Sequence, residues 1–92
     1  MTKYTLTRTS KFEKNLLEHL AFLANVSEKA AISLLNNAEK AILSLPDNPF
    51  MYKIIHNNVR RIVLDKRYAI LYEIIANDIV VLSMYDCRMQ EY

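Results

Sequence analysis

The apolar residues of this sequence change their spacing at Pro46, and that change limits the folds open to the chain. Before Pro46 they recur every three or four positions along two segments, which is the pattern of amphipathic helices. After a turn over residues 46–49 they gather in three runs rich in β-branched residues, as in strands. Two helices with facing apolar stripes need a third surface to bury against, and a sheet from the second half supplies it.

Capping residues set the predicted element boundaries. The box Ser10-Lys11-Phe12-Glu13 predicts a first helix from about Lys11 to Ala24, with Ser10 as its N-cap. Ser27 predicts the N-cap of a second helix that ends before Pro46. The short link between the helices predicts an antiparallel hairpin. The predicted strands are Tyr4–Arg8, Asn58–Leu64, Arg67–Ile75 and Ile79–Tyr85.

The chain contains no glycine, so other residues must form its tight turns. Asp65-Lys66 and Asn77-Asp78 separate the last three strands, and Asn and Asp tolerate positive φ better than other residues do. We therefore predict a three-stranded meander. Strand alternation predicts that Tyr68 and Tyr72 share a core-facing side with Ile70 and Ile74, and that Arg60 and Arg61 point to opposite faces. The predicted fold class is α+β: an N-terminal strand and an antiparallel helical hairpin packed on a three- to four-stranded antiparallel sheet. Residues 1–92 form one domain.

Composition excludes several classes of protein. One cysteine rules out a disulfide framework within the monomer, and two histidines beside it are too few for a zinc site. The first residues lack the apolar run of a signal peptide, and no apolar stretch approaches about 20 residues. We expect a cytoplasmic protein that has no membrane span and needs no metal or cofactor.

Positive charge is concentrated in residues 53–67, where five basic side chains face one acidic one, Asp65. Such a segment suits a polyanion, and it predicts a nucleic-acid-binding surface. The alternative is a solvated strand pair whose charges discourage edge pairing. The candidate nucleic-acid-binding residues are Lys53, Arg60, Arg61, Lys66 and Arg67.

The order of these segments resembles the RelE/ParE superfamily of toxins from type II toxin–antitoxin systems, over nearly the whole chain. The pieces that carry the resemblance are Ser10-x-Phe12 after the opening strand, residues 41–46 (AILSLP), Val59-Arg60-Arg61, residues 67–74 (RYAILYEI), and residues 79–84 (IVVLSM) running into residues 85–89 (YDCRM). The resemblance implies a growth-inhibiting toxin, silenced by a cognate antitoxin that wraps it with an extended or helical segment.

The same resemblance leaves two targets open. RelE-like members enter the ribosome and cut mRNA, whereas ParE-like members poison DNA gyrase and generally lack the cleavage residues. Where cleavers often carry an arginine after the residue equivalent to Tyr68, this chain has Ala69. Arg67 should share the face of Ala69 and could compensate. Arg88-Met89 looks more like the ParE form.

These residues favour a ParE-like, gyrase-directed toxin. The alternatives are a RelE-like, ribosome-dependent mRNA endonuclease and a non-toxic module for antitoxin binding or dimerisation. Whether the chain is an enzyme is therefore open. An enzyme of this type would be a metal-independent endoribonuclease, with cations around the scissile phosphate. The resemblance implies Arg60, Arg88 and a C-terminal Tyr92 that stacks on a base as its catalytic residues, with Arg67 as the possible substitute. Tyr85 is a rival for the stacking role.

Partner binding has a separate signature in the helices and the turn. Apolar residues of the first helix span more than one face, and Phe50, Met51 and Tyr52 add apolar surface after the turn. This surface suits an amphipathic antitoxin helix in a groove, or a homodimer. The candidate partner-binding residues are Leu16, Leu20, Leu23, Phe50 and Tyr52.

Overall fold

A computed structural model describes residues 3–88 as a helical hairpin packed on a five-stranded sheet. The strand order is β1-β5-β4-β3-β2, with β1 parallel to β5 and all other neighbours antiparallel. The predicted α+β class is confirmed, with more strands than expected in a mixed sheet. The elements are β1 Thr5–Arg8, α1 Ser10–Val26, α2 Glu28–Ser44, β2 Ile54–His56, β3 Val59–Leu64, β4 Tyr68–Ile75 and β5 Asp78–Asp86.

The helix caps explain why the hairpin forms. Ser27 accepts a hydrogen bond from the Ala30 N–H at 3.2 Å, so the predicted N-cap of α2 is confirmed. Its own N–H donates to the Leu23 carbonyl, so one residue ends α1 and begins α2. Neither helix is long and apolar enough to cross a membrane; this holds for the described part of the chain.

The predicted N-cap of α1 is wrong by one residue. Thr9, not Ser10, accepts the hydrogen bond from the Phe12 N–H, at 3.1 Å. The Thr9 hydroxyl also lies 3.0 and 2.9 Å from the carbonyls of Val81 and Leu82 on β5, and these contacts fix its position. Glu13 accepts instead from the Arg8 guanidinium at 2.7 Å.

The core lies between the hairpin and one face of the sheet. As predicted, Tyr68, Ile70 and Tyr72 share this face and are buried. The Tyr72 hydroxyl donates to the Pro49 carbonyl at 2.8 Å, and burial raises the pKa of Tyr72. The other buried residues of the core are Phe12, Leu16, Leu23, Ala31, Leu34, Ala38, Ile42, Leu45, Ile62, Leu64, Ile79, Val81 and Met84.

A β-bulge in β5 decides which residues face away from the helices. Leu71 pairs with Ser83 while Tyr72 pairs with Val81, so Leu82 is the extra residue. Beyond the bulge, Tyr85 points to the helix-free face. There it packs with Ala69 and Leu71 in a second buried cluster.

Within residues 3–88, four residues other than glycine adopt the positive φ that tight turns require. Asn57, Asp65, Lys66 and Ala76 have φ between 49° and 59°. The prediction for Asp65-Lys66 is confirmed, but the last turn places its positive φ at Ala76. Asp78 already belongs to β5, because its backbone pairs with Thr5 of β1 and Ile75 of β4. Its carboxylate also accepts hydrogen bonds from the hydroxyls of Thr5 and Thr7.

Replacing Ala76 by glycine should stabilise the chain. Glycine removes the steric cost of an alanine Cβ at positive φ, which outweighs its extra backbone entropy in the unfolded state. We expect Ala76→Gly to raise the free energy of unfolding by about 1 kcal/mol in urea titrations. Ala21→Gly, inside α1, is the control and should lower it by about 1 kcal/mol. Equal losses in both variants would contradict the argument.

Candidate functional site

Arg60 lies within β3 and binds backbone carbonyls. Its Nη1 donates to the Tyr52 carbonyl at 2.7 Å and to the Phe50 carbonyl at 3.3 Å. The guanidinium also lies 5.1 Å from the centroid of the Phe50 ring. Arg60 therefore ties β3 to the α2–β2 loop, which comprises residues 45–53.

Arg67 and Arg88 lie at the end of the sheet and share the carboxylate of Asp86. Arg67 Nε is 3.3 Å from Asp86 Oδ2, and Arg88 Nε is 3.4 Å from Oδ1. The backbone N–H of Arg88 also donates to Oδ1 at 2.9 Å. Burial to 5% exposure by itself raises the pKa of Asp86, but the hydrogen bonds from Arg88 and Arg67 outweigh it and hold that pKa below its usual range.

Of the arginines that were predicted to act together, Arg67 and Arg88 meet at Asp86, whereas Arg60 lies elsewhere. Arg60 pairs with Tyr72 on β4, whereas Arg67 directly precedes Tyr68. These positions are four residues apart along β4, which is about 13 Å at 3.3 Å per residue. The Arg60 guanidinium is bound to carbonyls of the α2–β2 loop and the Arg67 guanidinium to Asp86, so the two side chains are engaged at different places. Tyr92, the fourth predicted catalytic residue, lies outside the described residues.

The expectation that Arg67 shares the face of Ala69 is wrong, whereas its possible role as a substitute stays a prediction. Ala69 is fully buried between Val63 and Tyr85 on the helix-free face. Arg67 lies in the turn before β4, so strand alternation does not extend to it. Its guanidinium reaches Asp86 and lies 4.9 Å from the centroid of the Tyr68 ring, on the helix side.

The other basic residues are spread along the β2–β3 side of the sheet. Arg60 and Arg61 point to opposite faces, as predicted, and Arg61 is exposed. The Arg61 N–H donates to the carbonyl of Lys53, which is exposed beside it, and Lys66 is exposed in the β3–β4 turn. The predicted nucleic-acid surface thus keeps Lys53, Arg61 and Lys66 open to solvent, whereas Arg60 and Arg67 are engaged within the chain.

The predicted partner-binding residues divide between core and surface. Leu16 and Leu23 lie on the side of α1 that faces the sheet and are buried between the hairpin and the sheet, so they are not surface contacts. Tyr52 is half-buried, with its ring edge-on to Tyr72 at 6.3 Å. Leu20 is half-buried, and Phe50 is exposed.

The hairpin carries an apolar groove on its outer side, and Leu20 is the one predicted partner-binding residue that lines it. It has a volume of about 380 Å³ and almost no polar lining. Leu17, at 66% exposure, and Ile32 stand on its rims. We call it the hairpin groove, and it is lined by Leu17, Leu20, Ala21, Ala24, Ala31, Ile32 and Leu35.

A second cavity of about 430 Å³, the edge cavity, lies between α2 and β3. Strand β2 pairs with β3 only at Val59 and Arg60, so the cavity borders β3 where β2 has ended. Its lining residues are Asn37, Lys40, Ala41, Ser44, Tyr52, Val63, Leu64 and Asp65. Within residues 3–88, no three His, Cys, Asp or Glu side chains are placed to hold a metal ion.

Comparisons with known proteins agree with this fold. Residues 6–90 match the family model described as ParE toxin of type II toxin–antitoxin system, parDE. Among solved structures, a chain of the RelBE2 toxin–antitoxin complex from Mycobacterium tuberculosis is similar, with a TM-score of 0.60 and 14% sequence identity. The match covers 92% of this chain and 99% of that one, so the two share a fold. No curated protein sequence matches the chain.

Asp86→Asn should destabilise the chain in a pH-dependent way. At pH 7 the amide leaves two guanidinium groups without their buried counter-charge, and we expect a loss of about 2 kcal/mol in the free energy of unfolding. Because the folded-state pKa of Asp86 is lowered, its contribution is complete above the unfolded value of about 4. It is lost as the pH falls through the folded-state pKa.

The measurement is urea unfolding of wild type and Asp86→Asn between pH 7 and pH 2. The difference between them should shrink below about pH 4. Asp47→Asn, at an exposed loop position, is the control and should follow the wild type. A difference that stays constant across this range would rule out the role assigned to the Asp86 carboxylate.

Proposed function

The chain belongs to the ParE toxin family of type II toxin–antitoxin systems, and from this premise we propose that it arrests growth by binding a protein target, DNA gyrase, and does not cut mRNA. The observation that carries the proposal is the dispersal of the candidate catalytic cations. Cleavage without a metal requires several cations at one phosphate and a group that deprotonates the 2′-hydroxyl. Arg60 and the Arg67–Asp86–Arg88 cluster lie at separate places.

The buried alanine at position 69 supports the same proposal. An arginine there would need room on a face that Ala69, Leu71 and Tyr85 already fill. Burying a guanidinium without a counter-charge is strongly unfavourable. Position 69 is therefore packed for stability and offers no phosphate ligand.

One observation favours the alternative of a RelE-like, ribosome-dependent mRNA endonuclease. The Arg88 side chain is 60% exposed although it contacts Asp86, so part of its guanidinium is open to solvent. Lys66, in the turn next to Arg67, is also exposed. Either cation could contact a phosphate, although neither is a general base.

We propose that the hairpin groove receives an amphipathic helix of the cognate antitoxin. Its lining is apolar along the facing sides of α1 and α2, as helix-in-groove recognition requires. Leu17 and Ile32 remain exposed on the free chain, which leaves an apolar surface to be covered. A homodimer through the same groove is the competing arrangement, and the protein would be cytoplasmic in either case.

The target can be identified by controlled expression in bacteria. We expect growth arrest with trapped gyrase–DNA complexes and intact reporter mRNA by primer extension, because no cleavage centre is assembled. Inhibition of gyrase supercoiling by the purified chain is the parallel measurement. Cuts inside translated codons that disappear in Arg88→Ala would contradict the proposal and establish the endonuclease.

The groove can be tested with one substitution and a matched control. Leu17→Glu places a carboxylate in the apolar interface and should weaken antitoxin binding at least about tenfold, measured by calorimetry. Leu43 is as exposed as Leu17, at 66%, but lies outside the groove. Leu43→Glu should therefore bind antitoxin normally. Equal affinities for both variants would exclude the groove, and loss of a homodimer in Leu17→Glu would assign it to self-association.

A further inference from the structure

The α2–β2 loop is anchored at many points. Leu45 and Pro49 are buried, and Pro49 accepts the buried hydrogen bond from the Tyr72 hydroxyl. Turn hydrogen bonds join the Asn48 N–H to the Leu45 carbonyl at 3.1 Å and the Met51 N–H to the Asn48 carbonyl at 3.3 Å. A loop held in this way has one defined shape before any partner arrives.

Arg60, which lies outside this loop, also binds it. Its two carbonyl contacts fix the backbone on either side of Met51, and its guanidinium lies over the Phe50 ring. The ring of Tyr4 meets the same phenylalanine edge-on, with centroids 6.2 Å apart. Phe50 is thus held from two directions.

The loop nevertheless leaves its two largest apolar side chains in solvent. Phe50 is 59% exposed and Met51 is 60% exposed, and the neighbouring Ile54 is exposed as well. Single exposed apolar residues are common on protein surfaces. Adjacent ones on a rigidly held loop have the properties of binding hot spots, because little conformational freedom remains to be lost on association.

We propose that Phe50 and Met51 form the surface by which this chain contacts its protein target, and that Arg60 is a positioning residue for that contact. The inference rests on the proposed function, since it assumes a protein target. The matching surface is an apolar recess with acidic side chains at its rim. No acidic residue occurs between Asp47 and Asp65 in the sequence, and Lys53 and Arg61 are exposed nearby.

The chemistry of the loop favours a protein over a nucleic acid. A phosphate-binding loop presents several free cations, whereas here the Arg60 guanidinium is used on carbonyls, the tip is apolar, and the loop's own exposed cation is Lys53 at its end. The loop also shares no residue with the hairpin groove. Target contact and antitoxin docking therefore use different parts of the molecule.

The test compares two phenylalanines of equal exposure. Phe50→Ala combined with Met51→Ala should reduce inhibition of gyrase supercoiling at least about 30-fold and abolish growth arrest. Phe22 on α1 is also 59% exposed, and Phe22→Ala should act as wild type. Thermal unfolding should be nearly unchanged in both, because neither removes a buried side chain.

Arg60→Lys separates positioning from simple charge. Lysine keeps the positive charge but cannot bridge the two carbonyls and stack on Phe50 at once. We expect a loss of inhibition accompanied by faster hydrogen exchange at the Met51 and Tyr52 amides. Full activity of Arg60→Lys would overturn the positioning role.

All but the last of the following outcomes separate this inference from the proposed function. If the wild type arrests growth without inhibiting gyrase, the gyrase assignment fails. The growth assay then tests the inference: loss of growth arrest in the Phe50/Met51 variant supports it, and unchanged arrest overturns it. The inference is also overturned if the Phe50/Met51 variant inhibits the target as strongly as the wild type does. Weakened antitoxin binding by a variant that still inhibits its target would overturn it as well. Loss of RNA cleavage in the variant would assign the loop to nucleic acid and overturn it too. A wild-type chain that does not arrest growth overturns both.

Discussion

The first five residues of β4, residues 68–72, are buried on both faces of the sheet, and the rest of the molecule depends on that burial. On one face Tyr68, Ile70 and Tyr72 pack under the hairpin, and on the other Ala69 and Leu71 pack against Tyr85. The strand has β3 and β5 as partners, so its hydrogen bonds are also satisfied on both sides. A position buried in this way cannot hold an unpaired cation, and the lack of an arginine at position 69 follows from the packing.

The arginines of this chain have structural roles that their sequence positions do not reveal. Arg8 forms a bidentate pair with Glu39 at 2.7 and 2.8 Å and also binds Glu13, so it joins β1 to both helices. The hydrogen bond to Arg8 lowers the pKa of Glu39. Arg60 supports the α2–β2 loop and Arg67 closes the end of the sheet on Asp86. Such pairing engages Arg8, Arg60 and Arg67 within the chain, whereas Lys53, Arg61 and Lys66 stay exposed.

The sequence predicted those features that depend on local pattern. Periodicity located the hairpin and four of the five strands, and alternation placed Tyr68 and Tyr72 in the core. Strand β2 was not predicted, because its three residues are too few to show a periodic pattern. The choice of Thr9 over Ser10 as N-cap depends on the carbonyls of Val81 and Leu82, which are more than 70 positions away along the chain.

The candidate site was harder to predict because alternation gives the face of a side chain and not its partner. Arg67 was assigned to the face of Ala69, yet a turn and a carboxylate 19 residues away draw it to the other side. Likewise, helical spacing showed that the leucines of α1 span more than one face of the helix, but it could not say which of Leu16, Leu17, Leu20 and Leu23 face the sheet. Only the packing of α1 separates buried Leu16 and Leu23 from exposed Leu17.

The separation of the hairpin groove from the α2–β2 loop constrains how an antitoxin could silence this chain. From Leu35, the last lining residue of the groove, α2 runs nine more residues to Ser44, which is about 14 Å at 1.5 Å per residue. A helix confined to the groove would leave the loop uncovered. The edge cavity lies in between, since its lining includes Asn37 and Lys40 of α2 and reaches Tyr52 of the loop. A second, extended antitoxin segment in that cavity would stand beside Phe50 and exclude a large target by its bulk. Under the proposed arrangement, a partner that silences this chain has to reach both the hairpin groove and the α2–β2 loop, as a wrapping segment would.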